Sequence, residues 1–418
     1  MSHLLMIESW VGGTGRILPQ AIRAAGHRYT FVTRRPEHYS AAPDGAPHPV
    51  LAHAARVLTL ETNDVAVLEA ELRRHHAADP FDGALGICDY YLDAIVRIAA
   101  ALGIPHPFPA GVAAERRKHL VRRALAEAGI PSARHALTRG WEATRDAARA
   151  LGYPLVSKPT DLASSAHVRL VHGEQELRDA LAALEGFDRN FRDQPRDRQV
   201  LLEEYLEGPE VSVEACCADG EVVILGVTDK GVTGAPFFVE DSHMFPAALE
   251  PAAAQALDEY ARRVLAAVGH ERGFAHLEVK LTAAGPRLVE LNPRLPGNYI
   301  VELVQRVTGV DMLAASIELA LGRCPSLAVG SGAARSAAIQ FIVPPSGGVL
   351  RAIHGAESLV GDPHVVRHEI SAAAGARVSE PVDNGCYLGH VVAVDPAGLS
   401  ARRYAQVAAR RLEVVLER

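Results

Sequence analysis

The chain has 418 residues and a mass of 44.6 kDa, with 48% hydrophobic and 22% charged residues and a net charge of −7. That length asks for two or three domains, with cores large enough to need no disulfides or structural metals. The acidic balance argues against nucleic acid as the main partner, the five unpatterned cysteines against a disulfide framework, and the prolines breaking the uncharged stretch 98–114 against a membrane helix.

Residues 4–7 read as a buried strand, and the Gly12-Gly13-Thr14-Gly15 turn leads into a helix over about 16–25. A strand at 29–33 follows. The opening MSHLLMIESW carries Glu8 and no basic n-region, so no secretory leader is expected. A helix over 64–78, a strand at 83–87 and a helix over 90–102 continue the strand–helix alternation of a parallel sheet. The proline-rich 104–110 marks a boundary. Helices are expected at 112–128, 142–151 and 174–185, with a strand at 153–158. The charged, turn-rich 188–198 reads as a mobile loop. Strands then crowd at 199–206, 210–218 and 221–227, followed by a loop over 228–246 and a helix at 251–268. A hairpin comes next, 274–281 with 286–292, then one helix over 299–320. Strands at 337–343 and 387–394 and a closing helix at 400–416 end the chain. The stripe Val407, Leu412 and Val415 of that helix is expected to be buried.

Only four of the 43 basic residues are lysines: Lys118, Lys158, Lys230 and Lys280. A codon bias toward arginine and alanine accounts for the other 39. Where any cation would serve, this sequence writes Arg, so a retained Lys points to a site needing a compact point charge. Chance retention is the competing reading for each lysine singly.

The hairpin carries the strongest chemical signal. If its turn centres on Ala284, Glu278 faces Glu290 and His276 faces Asn292. Side chains alternate along a strand, so these four share a face with Lys280, while Leu277, Val279, Leu281 and Leu291 point into a core. Two opposed carboxylates repel. A divalent cation such as Mg²⁺, which completes its shell with phosphate oxygens and water, would offset that. A solvated face with two unrelated glutamates is the alternative, and it leaves Asn292 and Arg294 unexplained.

Glu290-Leu-Asn292-Pro-Arg294, with Glu278 twelve positions upstream, resembles the metal-binding hairpin of the ATP-grasp enzymes. Lys118, Lys158-Pro159 and the string from Leu202 to Glu210 (LEEYLEGPE) fall in that superfamily's order. The resemblance covers roughly residues 1–325, and the HLEVK and PGN surroundings look most like the L-amino acid ligase branch. It implies an α/β chain with α+β character in the ATP-grasp part. The domains would be a Rossmann-like unit at 1–110, an ATP-grasp domain at 111–325 with a mobile lid at roughly 135–205, and a C-terminal subdomain at 326–418.

Carried over residue by residue, Lys118 and Lys158 would hold ATP phosphates. Glu203, Tyr205 and Leu206 would contact adenine, and Glu210 the ribose. Glu278, Glu290 and Asn292 would ligate Mg²⁺, with Mn²⁺ as a substitute. Arg294, with Lys158, would act on the transferred phosphoryl group. The loop after Lys158 lacks the usual glycines, so Ser164 and Ser165 hydroxyls and backbone N–H groups are expected to cradle phosphate. Substrate contacts are expected from Lys230, Glu240, His243, His276, Gly297, Asn298 and Tyr299. The glycine turn at 12–15 lacks the last small residue of a dinucleotide fingerprint, because Leu18 stands there. A dehydrogenase is therefore rejected.

The implied activity is an ATP-dependent carboxylate–amine ligase, passing through an acyl phosphate and releasing ADP and phosphate. Loading of an amino acid onto a carrier-protein thiol and a non-catalytic ATP-binding protein are the alternatives. The expected partners are a small-molecule carboxylate and amine, with neither nucleic acid nor membrane, in the cytoplasm; a homodimer is left open.

Overall fold

The computed structural model describes residues 1–39 and 45–417. Among the described residues, four sheets carry the chain. The first is parallel, with Arg56–Thr59, Arg28–Thr33, His3–Ile7 and Gly83–Leu85 side by side in that order. All five residues of His3–Ile7 are buried, as a strand covered on both faces requires. Asp64 caps the helix Val65–Ala78 by accepting from the N–H groups of Ala66 and Val67.

The second sheet orders His135–Thr138, Val200–Glu204, Leu155–Pro159 and Arg169–Val171, all antiparallel. Helices Trp141–Leu151 and Glu174–Glu185 pack on it through Ala148, Leu177 and Leu184. The third sheet has eight antiparallel strands: Gly285–Asn292, Gly273–Thr282, Glu210–Ala218, Glu221–Val232, Glu240–Phe245, Ser336–Phe341, Gly389–Asp395 and Val365–Ile370. It runs straight across residue 325, because Glu240–Phe245 pairs with Ser336–Phe341. Its faces are packed separately: Cys216 lies in the core shared with helices Ile300–Thr308 and Met312–Ala320, and Cys217 in the core under Pro251–Val268.

The hairpin pairs as expected where it matters: His276 opposes Asn292 and Glu278 opposes Glu290. The route there differs. The turn has two residues, Ala283 and Ala284, between Thr282 and Gly285, and a bulge at Val289 restores the register beyond it. Leu277, Val279 and Leu288 are fully buried behind the charged face. Each contributes roughly 1.5–3 kcal/mol, which outweighs a like-charge pair costing about 0.2–1 kcal/mol.

Several expectations are corrected. The helix over 299–320 is two helices, broken at Gly309 with φ +78° and restarted by the Asp311 cap. The helix at 400–416 ends at Ala409, and Glu413–Glu417 is a strand. The β-branched pair Val414-Val415 favours that choice, and Val407 of the supposed buried stripe is exposed. The loop expected over 228–246 is mostly strand, the ends of Glu221–Val232 and Glu240–Phe245 joined by 233–239. The segment 188–198 is not free. Arg192 and Arg196 are buried, and Asn190, Asp193 and Gln194 are held by side-chain contacts. Among the described residues, no helix is long and apolar enough to cross a membrane.

Candidate active site

The second sheet faces the third across a cleft of about 840 Å³, counting its solvent-filled mouth. Lys158 and Glu203 come from adjacent strands of the second sheet. Lys118 starts the helix Lys118–Glu127, and Glu210, Glu278 and Glu290 stand on neighbouring strands of the third. Lys118, Lys158, Ser165, Glu203, Tyr205, Leu206, Glu210, Glu240, Glu278 and Glu290 all line this one cleft. Val156, Val168 and Phe238 add apolar walls, with the Phe238 ring stacked 6.2 Å from Tyr205. An adjoining pocket holds Asp89, Tyr90, Arg116, Glu290 and Asn292.

Charge inside is paired throughout. Lys118 Nζ lies 2.8 Å from Glu290. Lys158 pairs with one oxygen of Glu203, whose other oxygen accepts from Arg122 Nε at 2.6 Å. Lys230 Nζ sits among three carboxylates, 3.2 Å from Glu210, 2.8 Å from Glu240 and 2.9 Å from Glu278. Lys280 reaches Glu210 at 3.4 Å from the far side. All four lysines of the chain therefore line or underlie this one cleft, twice the number the sequence reading placed on phosphate.

Burial opposes ionisation of Glu203, yet Arg122 and Lys158 hold its carboxyl down at about 2. Burial likewise opposes the charge on Glu278, which Lys230 and His276 bring to about 2. His276 lies between Glu214 at 2.9 Å and Glu278 at 3.3 Å. Burial would lower its basicity, but the Glu214 carboxylate raises it to about 9.

Glu203 gives a pH prediction. Its folded value lies below the ordinary carboxylate value near 4.5, so its contribution is complete above that pH and is lost as pH falls toward about 2. Glu203→Gln strands two buried cations and is expected to cost about 3–5 kcal/mol at pH 7. Denaturant titrations should also show a shallower loss of stability between pH 4.5 and 2 in this variant. Equal slopes in both proteins would contradict the assignment.

The remaining expected residues divide. The Ser164 side chain is exposed and does not line the cleft; its carbonyl accepts from Asn384 N–H at 3.2 Å. Ser164, Ser165 and His167 all have positive φ, so the glycine-poor loop takes left-handed backbone that glycine would adopt without strain. His243 is fully buried, and its Nε2 lies 3.3 Å from both Glu240 and Asn298. Asn298 Nδ2 donates to Glu240 at 2.7 Å. A side chain at Gly297 would meet nothing within 4 Å, so this backbone is open to approach. Tyr299 points elsewhere: its ring packs 4.6 Å from His390 and under the Arg367 guanidinium. Gly13 packs so tightly on Asn298 that a Cβ would fall 2.9 Å from its nitrogen, so the glycine turn is a packing device here.

Four residues escaped the sequence reading. Lys280 was placed on the right face without a role. Arg122 lies four residues after Lys118, one turn on along the same helix face, which was a usable signal. Asp89 follows the carboxyl end of Gly83–Leu85, where functional loops gather. Phe238 carried no signal.

Two carboxylates and an amide oxygen, from Glu278, Glu290 and Asn292, are hard donors on one face. Among the described residues, no group of three or more His, Cys, Asp or Glu side chains could hold a metal ion. Hard oxygen donors of this kind are the type a divalent cation accepts when phosphate and water complete its shell.

The two sheets close on a cleft that gathers lysines and carboxylates from both. Family models match residues 20–106 as an ATP-grasp N-terminal domain, 151–302 as an ATP-grasp domain and 340–417 as L-amino acid ligase C-terminal domain 2. The chain belongs to the ATP-grasp superfamily of ligases and carries the C-terminal domain of L-amino acid ligases. The protein y4rH of Sinorhizobium fredii is 28% identical over 403 residues, which cover 95% of this chain and 82% of that one. Carnosine synthase 1 of Gallus gallus is 30% identical over 74% of this chain but only 34% of its own length. Alanine–anticapsin ligase of Bacillus subtilis is 29% identical over 47% of this chain and 45% of its own. The crystal structure of L-amino acid ligase from Bacillus licheniformis superposes with a TM-score of 0.83 at 20% identity, covering 100% of this chain and 99% of that one.

Proposed function

We propose that the protein joins a carboxylate to an amine at the cost of ATP, with an amino acid as at least one substrate. One observation carries the reading: every lysine of an arginine-biased chain converges on a cleft that also presents Glu278, Glu290 and Asn292. Binding alone would not need that set together with Arg294.

In this reading adenine lies between Tyr205, Leu206, Phe238 and Val156, with Glu210 toward the ribose. Lys118 and Lys158 neutralise the phosphates. At an effective dielectric of about 20 a charge pair at 4 Å is worth about 4 kcal/mol, against about 1 kcal/mol in bulk water. A divalent cation held by Glu278, Glu290 and Asn292 would supply further neutralisation of the phosphate charge. The substrate carboxylate oxygen attacks the γ-phosphorus, and the bond to the bridging oxygen of ADP breaks. Arg294, beside Asn292, steadies the transferred group. The amine then attacks the acyl carbon, phosphate leaves with its oxygen, and the ammonium proton passes to solvent. The open backbone at Gly297, with Asn298, Glu240 and His243 beside it, is where the amino acid substrate is placed. Segment 135–205 acts as the lid over this chemistry.

The expected products are ADP and inorganic phosphate in equal amounts, with condensed amide found by mass spectrometry when free amino acids, ATP and Mg²⁺ are supplied. AMP as the stoichiometric product would overturn the mechanism. ADP release that appears only with a phosphopantetheinyl carrier would replace the amine by a carrier thiol.

A further inference from the structure

We propose that Asp89 and Trp10 are positioning residues that couple seating of the lid tip to the orientation of Arg294. The inference rests on the role given to Arg294 above.

The tip of the second sheet's long connection, residues 188–198, lies on the N-terminal unit. Arg192 reaches across to the Ser9 carbonyl, and its guanidinium stands 5.9 Å from the Trp10 ring centre and 5.4 Å from that of Tyr39. Asn63 Nδ2 donates to the Arg192 carbonyl at 2.8 Å, and Gln194 Nε2 to the Tyr90 carbonyl at 3.1 Å. Asp193 is clasped by Arg34 and Arg35, each at 2.9 Å. The tip is thus fixed at several points, and its arginine is buried against Ser9 and Trp10.

From Trp10 the contacts continue inward. Its indole Nε1 donates to Asp89 Oδ2 at 3.0 Å, and its ring meets Tyr90 edge-on at 5.5 Å. The other oxygen of Asp89 accepts from Arg294 Nε at 2.8 Å. Arg294 also donates to its neighbour's carbonyl, Leu295 O, at 2.8 Å, and more loosely to Asn292 at 3.4 Å. Apart from these, the guanidinium has Asp89 as its one charged partner among the ion pairs of the described residues. Asp89 is 6% exposed, and its second oxygen is held by the indole on the far side. Burial disfavours the charge on Asp89, and the Arg294 guanidinium overrides it.

The two oxygens of Asp89 therefore transmit the position of Trp10 to Arg294. With the tip seated, Arg192 holds Ser9 and Trp10, and the guanidinium is aimed along the Asn292 side of the pocket. With the tip lifted, Trp10 loses its cover and Asp89 loses the contact that orients it. Phosphoryl transfer would then proceed only under a closed lid, which guards an acyl phosphate from water.

Asp89→Asn is expected to lower kcat for ADP release by about 10²-fold, the scale of an ångström-sized misplacement. KM for ATP should stay within about twofold, because Asp89 does not line the nucleotide cleft. Trp10→Phe keeps a ring and removes the donor, and should cost about tenfold in kcat, as expected for a hydrogen bond to a charged acceptor. In an Arg192→Ala background the same change should cost far less, because the path is already broken. Full multiplication of the two losses, or equal changes in kcat and KM as a general structural defect would give, overturns the relay. A second readout does not depend on catalysis. Trp141→Phe leaves Trp10 as the sole tryptophan of the two in the chain. Arg192→Ala in that background should shift Trp10 emission to the red, and an unchanged spectrum overturns the seating of the tip. If the wild type releases no ADP with any amino acid while the emission shifts, the functional reading fails and the tip–Trp10 contact stands.

Discussion

Glu290→Gln is expected to lower turnover by about 10²-fold or more, because several kcal/mol of charge stabilisation at the transferred phosphate disappear. Glutamine keeps the shape and one oxygen donor but removes the charge opposite Glu278. The fold should survive. Relief of the apposed carboxylates offsets the lost pair with Lys118, and Leu277, Val279 and Leu288 behind the face are untouched. Steady-state rates at saturating ATP and Mg²⁺ together with thermal melts give the check. A melt like wild type with undiminished turnover would refute the metal and phosphate assignment.

Lys158→Arg is the second large effect. The ammonium contacts one oxygen of Glu203 while Arg122 holds the other. A longer planar fork at position 158 competes with Arg122 for that carboxylate and pushes its own nitrogens into the phosphate path. Calorimetry should show ATP binding weakened by about tenfold or more, the scale at which a lost charged hydrogen bond is felt. Arg198→Lys, at an exposed arginine paired with Asp188, is the charge-matched control and should bind ATP normally. The control has to be chosen with care, since Arg192 and Arg196 in the same segment are buried. Equal ATP binding by Lys158→Arg and wild type would mean that the lysine is retained by chance.

The elements legible in the sequence were those whose signal is local. Glu174–Glu185, Pro251–Val268 and Glu210–Ala218 fall where periodicity puts them. Arg56–Thr59, Arg169–Val171 and Val365–Ile370 did not announce themselves, because they are short and take their order from the strands they pair with. The Glu278–Glu290 apposition was read correctly through a turn misplaced by half a residue and a bulge that compensated. Residues whose chemistry is written in their type, Lys118, Lys158, Glu203, Glu210, Glu278 and Glu290, do come together around one cleft. Arg122 could have been found from its spacing to Lys118, whereas Asp89 and Phe238 depend on which segments the fold brings together. The behaviour of 188–198 failed for the same reason: charge looked like solvation, but Asp193 and Arg192 were spent on another part of the chain.

The gathering of Lys118, Lys158, Lys230 and Lys280 at one cleft has a practical side. Apart from the α-amine where the chain starts, the rest of the sequence offers an acylating reagent no primary amine at all. Amine-selective labelling, usually scattered over a protein surface, is here confined by the sequence to the neighbourhood of a single cavity. All four are ion-paired, and Lys230, among three carboxylates, is the most enclosed. A nucleotide seated in the cleft should then shield nearly every modifiable side chain at once, so the extent of labelling counted by mass spectrometry becomes a direct measure of occupancy.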